Sequence, residues 1–195
     1  MGLRKSMGHS QVEKARNRER ILKEAASQVR QAGLESLSVN KLMQSVNLTH
    51  GGFYGHFPSR SDLIAEALER ALVDGEAMAQ AAGEGRPRSY SAMVRGYLSR
   101  THRDSRNSGC AIAALLSDVG RADLHAREVM TAHIEAYFSS IARAMGEDDE
   151  RTAMVAVSTL VGALAISRVL TDPKRSDELL RNVRDYVLSM KPADA

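Results

Sequence analysis

The sequence predicts an all-α protein of about nine helices. Three observations carry this. Apolar residues recur at spacings of three and four along most of the 195 residues, the period of helices that bury one face. Ala, Arg and Leu are among the commonest residues while only 4% of residues are aromatic, a composition that favours helix over sheet. No useful length of apolar–polar alternation appears, and Gly, Pro and Asn stand where helices of ordinary length should stop.

Residues 1–12 are expected to form a mobile basic tail. A helix follows from Val12 to Ala32, with Ile21, Leu22, Ala25, Ala26 and Val29 on its apolar stripe and Gly33 as its C-terminal stop. Ser38 is placed to cap a short second helix that turns Val39, Leu42, Met43 and Val46 inward. Asn47 ends it, being one of the few residues besides Gly that tolerates a left-handed backbone. Thr49 is placed to cap a third short helix, which Pro58 closes. Ser59 caps a fourth, with Asp62 in its first turn and Leu63, Ile64, Ala67, Leu68, Ala71 and Leu72 as its stripe. The run Gly83-Glu84-Gly85-Arg86-Pro87-Arg88 reads as a loop. Five further helices are expected at about 89–103, 109–119, 122–145, 148–171 and 176–189. They are separated by Asn107-Ser108-Gly109, Gly120, Gly146 and Asp172-Pro173. This divides the chain into a tail (1–12), a first domain (13–58), a connecting helix (59–82) and a larger second domain (83–195).

Composition narrows the function classes. With 43% hydrophobic and 26% charged residues, the chain has enough apolar surface to build a core. The single cysteine, Cys110, excludes an intramolecular disulfide and suits a reducing cytoplasm; no apolar stretch follows Arg4 and Lys5 as a secretory leader would require. The long uncharged apolar segment Thr152 to Ser167 is short for a membrane span and interrupted by Ser158, Thr159 and Gly162, so a buried core helix is expected and no membrane partner. Charge is unevenly spread: residues 1–60 hold ten Lys or Arg against four Glu, a net +6, whereas the remainder is net −3. A basic head on an acidic body suits a polyanionic partner, although a solvated basic face looks the same.

Two short helices joined by a tight turn describe a helix-turn-helix, whose second helix enters the DNA major groove N-terminus first. The residues so placed are Thr49, His50, Gly51 and Gly52: two hydrogen-bonding side chains and two glycines that let the backbone approach DNA closely. Tyr54 and His56 carry polar tips suited to phosphate oxygens, and Arg60 adds a cation at the start of the next helix. Ser38 and Lys41 border the same surface through the second helix.

Ser38 to Leu63 reads SVNKLMQSVNLTHGGFYGHFPSRSDL. It resembles the DNA-binding signature of the TetR/AcrR family of regulators, in Leu48-Thr49, Gly51, Phe53-Tyr54-Gly55-His56-Phe57, Arg60 and Asp62-Leu63. The resemblance covers about residues 16–65; beyond them only helix number and length agree. Two positions depart from the pattern: Asn47 stands for the usual turn glycine, and Met43 for a small residue. The resemblance implies a dimeric repressor of double-stranded DNA, a near-palindromic operator, and a small-molecule inducer bound inside the second domain. There, inducer binding tilts the 59–80 helix and spreads the two heads. The sequence supports a homodimer separately. The 148–171 helix is apolar nearly all round from Met154 to Leu170, with Ala156, Gly162, Ala163 and Ala165 allowing close approach. The 176–189 helix adds Leu179, Leu180, Val183, Val187 and Leu188 at helical spacing; a monomeric core helix is the alternative.

Met93, Tyr97, Leu116, Met130, Tyr137 and Phe138 are candidates to line an inducer pocket, and equally suit a plain core. Cys110 is expected in the first turn of a helix, near Arg103 and Arg106 in sequence, where amides and cations favour a thiolate. The local pattern is similar to that of a TetR-family branch that senses electrophiles and oxidants, including the N-ethylmaleimide-responsive repressors. That implies cysteine modification as an inducing signal; a small buried core residue is the other reading. His125, Glu128 and His133 lie near one helix face, but the spacing of the two histidines is poor for a shared ion and nothing completes the shell, so no metal is expected, nor any other cofactor. Two other function classes fit the sequence less well. An effector-independent architectural DNA-binding protein would want a basic surface over the whole chain, and residues 61–195 are acidic. An enzyme would want a nucleophile elbow, a Walker loop or a His-Glu-x-x-His run, and none is present.

Overall fold

The structure is a computed structural model that describes residues 3–81, 88–106, 109–146 and 150–190. Helix α1 spans Leu3–Ala32 and buries Ile21, Ala25, Ala26 and Val29 completely. It begins well before the expected start at Val12, so the segment from Leu3 is helix rather than tail. Nothing there stops a helix: Pro is absent, and the one glycine, Gly8, costs only about 1 kcal/mol relative to Ala. Gly33 ends α1 with φ 86° and ψ 166°, and its N–H still donates to Val29 O at 2.9 Å. This is not the left-handed cap expected of a helix terminus but an extended conformation open essentially to glycine alone. A 3₁₀ turn (Leu34–Ser36) leads into α2 (Val39–Ser45), which buries Leu42 and Met43. Asn47 follows with φ 55°, the left-handed backbone expected of it, and no other non-glycine residue among those described has positive φ.

The third element is shorter and tighter than expected, a 3₁₀ helix over His50–Gly55. Ser38 and Thr49 stand at the N-terminal boundaries as expected, yet neither hydroxyl caps its helix. Ser59 does: its Oγ accepts from Asp62 N–H at 3.1 Å and donates to the Asp62 carboxylate at 2.6 Å, a reciprocal pair that starts α3 (Arg60–Ala81).

Among the described residues the body holds six more helices. The expected 89–103 helix is two, α4 (Tyr90–Tyr97) and α5 (Arg100–Asp104). Ser99 causes the break: its Oγ donates to Gly96 O at 2.8 Å and accepts from His102 N–H at 3.1 Å, closing one helix and capping the next. Then come α6 (Ala111–Val119), α7 (Leu124–Met145), α8 (Arg151–Val169) and α9 (Pro173–Ser189). Asp123 caps α7, Gly146 ends it with φ 77°, and Asp172 caps α9 with Pro173 at the first turn, where a missing N–H is harmless. The loop at 83–87 and the breakers Asn107 and Ser108 lie outside the described residues.

By length and composition α8 is apolar enough to cross a membrane. Its position is that of a core helix: Ala156, Leu160 and Leu164 are fully buried, and it packs on α6, α7 and α9. The other side of α8 is open, with Val155 56%, Ile166 54% and Val169 79% exposed. Buried polar groups in the body are paired. Tyr90 Oη donates to Val187 O at 2.7 Å, and Ser176 Oγ donates to Ser167 O at 2.7 Å.

Head and body meet along α3, which packs on α1 and α7. Arg70 of α3 reaches Glu19 of α1 at 2.6 Å, and Glu69 reaches His133 of α7 at 3.1 Å. The corner between α6 and α7 supplies two carboxylates to the head. Asp118 accepts from Leu34 N–H at 3.1 Å, just after Gly33, and Asp123 accepts from the Ser61 hydroxyl at the start of α3.

Candidate nucleic-acid interface

The turn that carries the expected DNA-facing residues rests on an aromatic platform. Phe53 and Phe57 are each 1% exposed and stack with ring centroids 5.7 Å apart. From α1, the Arg18 guanidinium lies 4.9 Å from the Phe57 ring centroid and pairs with Glu66 of α3. Arg20 donates to Val46 O at 2.5 Å, fixing the end of α2. Met43, at the position where the resemblance wants a small residue, is fully buried. A Cβ on Gly52 would stand 3.8 Å from Met43 Cε, an ordinary van der Waals contact, so Met43 does not by itself require glycine there.

On this platform the outward side chains are Lys41, Thr49, His50 and Tyr54, the last 69% exposed with its ring edge-on to Phe53. Ser38, Gly52 and His56 are half-buried. Because the Ser38 and Thr49 hydroxyls cap nothing and have no partner among the described residues, both keep their full hydrogen-bonding capacity. A Cβ on Gly51 would meet nothing within 4 Å, so nothing in the protein itself requires glycine there. Arg60 is exposed as expected, but it is not a free cation. Its Nε donates to Leu37 O at 3.2 Å and its Nη2 to Glu35 at 3.2 Å, which ties the start of α3 to the turn before α2.

His56 differs from its neighbours. Its Nδ1 is buried without a hydrogen-bond partner, and burial, followed by the charges of Lys14 and Arg18, holds its pKa below the usual value. Lys14, with Glu13 and Asn17, faces Gly55 and His56 across an open groove of about 370 Å³. Sequence reasoning counted Lys14 and Arg18 only as net charge. Their spacing of four, which puts them on one helix face, was the available signal.

In the body, Tyr97, His102, Cys110 and Tyr137 come together. Tyr97 Oη donates to Cys110 Sγ at 3.3 Å, its ring packs 6.0 Å from Tyr137, and His102 stands edge-on to it at 4.8 Å. His102 Nδ1 meets Tyr97 O at 2.7 Å while Nε2 accepts from Cys110 N–H at 3.0 Å. The two bonds together select the neutral Nδ1–H tautomer, in keeping with a pKa that burial holds down. Burial, then the neighbouring Cys110, pushes the Tyr97 phenol well above its usual range, so it is a proton donor to sulfur.

Three expectations for the body need correction. Cys110 is the N-terminal boundary residue of α6, half-buried, not a first-turn residue. Arg103 and Arg106 point elsewhere, Arg103 to Ser176 and Asp177 and Arg106 to Arg168 O; Arg168 of α8 is the nearer cation, bonded to the carbonyls of His102 and Arg103. Its charge couples to Cys110, a proximity that a sequence separation of 58 hides from any local window. Leu116 is 46% exposed and lines no interior site: Leu115 and Val119 take the inward face of α6, and Leu116 falls outside it. Met130 is 2% exposed core, while Met93, Tyr97, Tyr137 and Phe138 are partly buried against that core. Of the residues weighed for a metal, His133 pairs with Glu69 and His125 and Glu128 are exposed; among the described residues no group of three or more His, Cys, Asp or Glu is placed to hold an ion.

Residues 21–67, which contain the helix-turn-helix and its aromatic platform, match the family model for bacterial regulatory proteins of the tetR family. The chain's N-terminal domain is a TetR-family domain. Uncharacterised HTH-type transcriptional regulators from two strains of Mycobacterium tuberculosis are 29% identical over 189 residues, covering 90% of this chain and 96% of theirs. Among solved structures, a TetR-family regulator from Cytophaga hutchinsonii superposes with a TM-score of 0.78 at 18% identity, covering 93% of this chain and 98% of that one. The reduced form of Escherichia coli NemR superposes with a TM-score of 0.74 at 19% identity, covering 91% and 99%. With this TetR-family domain the protein is a DNA-binding transcriptional regulator, not an enzyme, and its all-helical architecture with an N-terminal helix-turn-helix is that of the TetR-family structures it resembles.

Proposed function

We propose that this regulator is a cytoplasmic homodimeric repressor that binds a near-palindromic operator and is released when a small molecule or electrophile acts on its C-terminal body. The observation that carries the reading is the row of unpartnered polar groups at Thr49, His50, Tyr54, Ser38 and Lys41, held on the Phe53–Phe57 platform. Thr49 and His50 read base edges, with Gly51 and Gly52 admitting the DNA backbone closely. Tyr54, His56, Lys41 and Ser38 hold phosphates, and Arg60 both holds phosphate and fixes the start of α3. The domain plan follows the roles: DNA-binding over 13–58, connection over 59–82, effector binding and dimerisation over 83–195. The exposed apolar side of α8, with Tyr186 of α9 at 65% exposure, supports pairing with a second copy.

Fluorescence anisotropy on the DNA flanking the protein's own gene, against an unrelated duplex, tests the reading. Selective binding is expected. Thr49→Ala and His50→Ala are expected to relax sequence preference by about 1–3 kcal/mol at the contacted base, and Tyr54→Ala to weaken all duplexes alike. Failure to select any sequence from a random duplex pool would sink it.

Cys110 is the candidate sensor in this reading. Its thiol sits at one end of α6 and Asp118, at the other end, holds Leu34 of the head. Adding a group to sulfur displaces the Tyr97 hydroxyl and presses on α6, which carries the change to the Gly33–Leu34 turn. Thiol-reactive compounds are expected to release DNA from the native protein but not from Cys110→Ser, with Tyr97 and Tyr137 bordering the modified site. Equal release from both proteins would redirect the search to a non-covalent inducer.

A further inference from the structure

The groove between α1 and the end of the recognition turn is unexplained by the helix-turn-helix alone. Glu13, Lys14 and Asn17 line it from α1, and Gly55 and His56 from the turn. Three donors face it. Lys14 has no partner among the described residues, unlike Arg18 and Arg20 on the same helix, which are committed to Glu66 and Val46. Asn17 gives its Oδ1 to Arg20 at 3.1 Å, leaving the amide NH₂ to donate outward. His56 buries an unpartnered Nδ1. An orphaned buried N–H is rarer than an orphaned acceptor, so the neutral ring carries its proton on Nε2, away from the buried edge. Gly55 adds no bulk, and a Cβ there would meet nothing within 4 Å.

We propose that this groove seats one phosphate of the DNA backbone, held by the Lys14 ammonium, the Asn17 amide and His56 Nε2–H, so that α1 binds DNA beside the helix-turn-helix. The inference rests on the DNA-binding reading above and extends it to a second element. Glu13 decides the kind of phosphate. Its carboxylate offsets Lys14, so the groove has little net pull on a free anion. A backbone phosphate already brought in by neighbouring contacts needs only the local donors.

Anisotropy titrations from about 50 to 200 mM salt test this on the full chain. Each phosphate contact contributes about 0.9 to the slope of log affinity against log salt. Lys14→Gln is expected to lower that slope by about 0.9, to weaken operator and random duplex by the same factor, and to leave the thermal melt unchanged. Gly55→Leu, whose Cβ meets nothing within 4 Å and whose side chain would occupy the groove, is expected to weaken both duplexes in parallel. If both variants keep the native slope and affinity while Thr49→Ala alters sequence preference, the groove holds no phosphate and the DNA reading stands. If inorganic phosphate at constant ionic strength shifts the His56 ring resonances of the DNA-free protein, the groove takes a free anion and the backbone assignment falls. If the native protein binds no duplex, both readings fall together.

Discussion

Phe57→Ala is expected to unfold the head: a stability loss of about 3–5 kcal/mol is the usual cost of removing a buried aromatic ring. Phe57 is 1% exposed, stacks on Phe53 and supports the Arg18 guanidinium, so the substitution opens a cavity and leaves that cation without its aromatic face. The effect should be local to the head. Hydrogen exchange at the amides of residues 42–57 should accelerate strongly while those of α8 and α9 stay protected, and binding to every duplex should be lost. A loss under about 1 kcal/mol, the size of an ordinary surface change, would mean that the turn is held by something other than its aromatic platform.

Gly33→Ala tests the joint between head and body. At φ 86° and ψ 166° the backbone lies in a region that costs a side-chain-bearing residue about 1–3 kcal/mol. Space adds to this: the new Cβ would stand 2.4 Å from Asp118 Oδ2, so Asp118 must swing away and release the Leu34 N–H. Losing a hydrogen bond to a charged acceptor adds about 1.5–3 kcal/mol. Urea unfolding of Gly33→Ala, Asp118→Ala and the double variant forms a cycle. With Asp118 already gone, Gly33→Ala should cost only its backbone share, giving a coupling equal to the lost hydrogen bond, about 1.5–3 kcal/mol. Strictly additive costs would show that Asp118 does not grip the turn. The same joint matters for regulation, because it is one of two carboxylate contacts by which the α6–α7 corner holds the head.

Much of this molecule was legible before folding. The apolar stripes at Ile21–Val29 and Leu63–Leu72 became the buried faces of α1 and α3, because helical period alone decides which residues share a face. Asn47 took the left-handed backbone its chemistry tolerates, and the aromatic residues flanking Tyr54 became the platform. Local signals failed where two local preferences competed. Ser99 satisfied itself by closing one helix and capping another, splitting a stretch whose apolar period ran on. Ser38 and Thr49 took the capping backbone without making the capping bond.

The sequence by itself determined the all-helical class, the helix-turn-helix and the identity of its outward residues, since each rests on contacts or conformations within a few residues of chain. Only the tertiary structure decided who meets whom across the fold. It placed Arg168 rather than Arg103 or Arg106 near Cys110, set His102 and Tyr97 around that thiol, tied Arg60 to Glu35, and brought Lys14 opposite His56. The physical reason is common to all four. A side chain's partners at long sequence separation are set by how helices pack, and packing angles depend on the whole core rather than on any local run of residues.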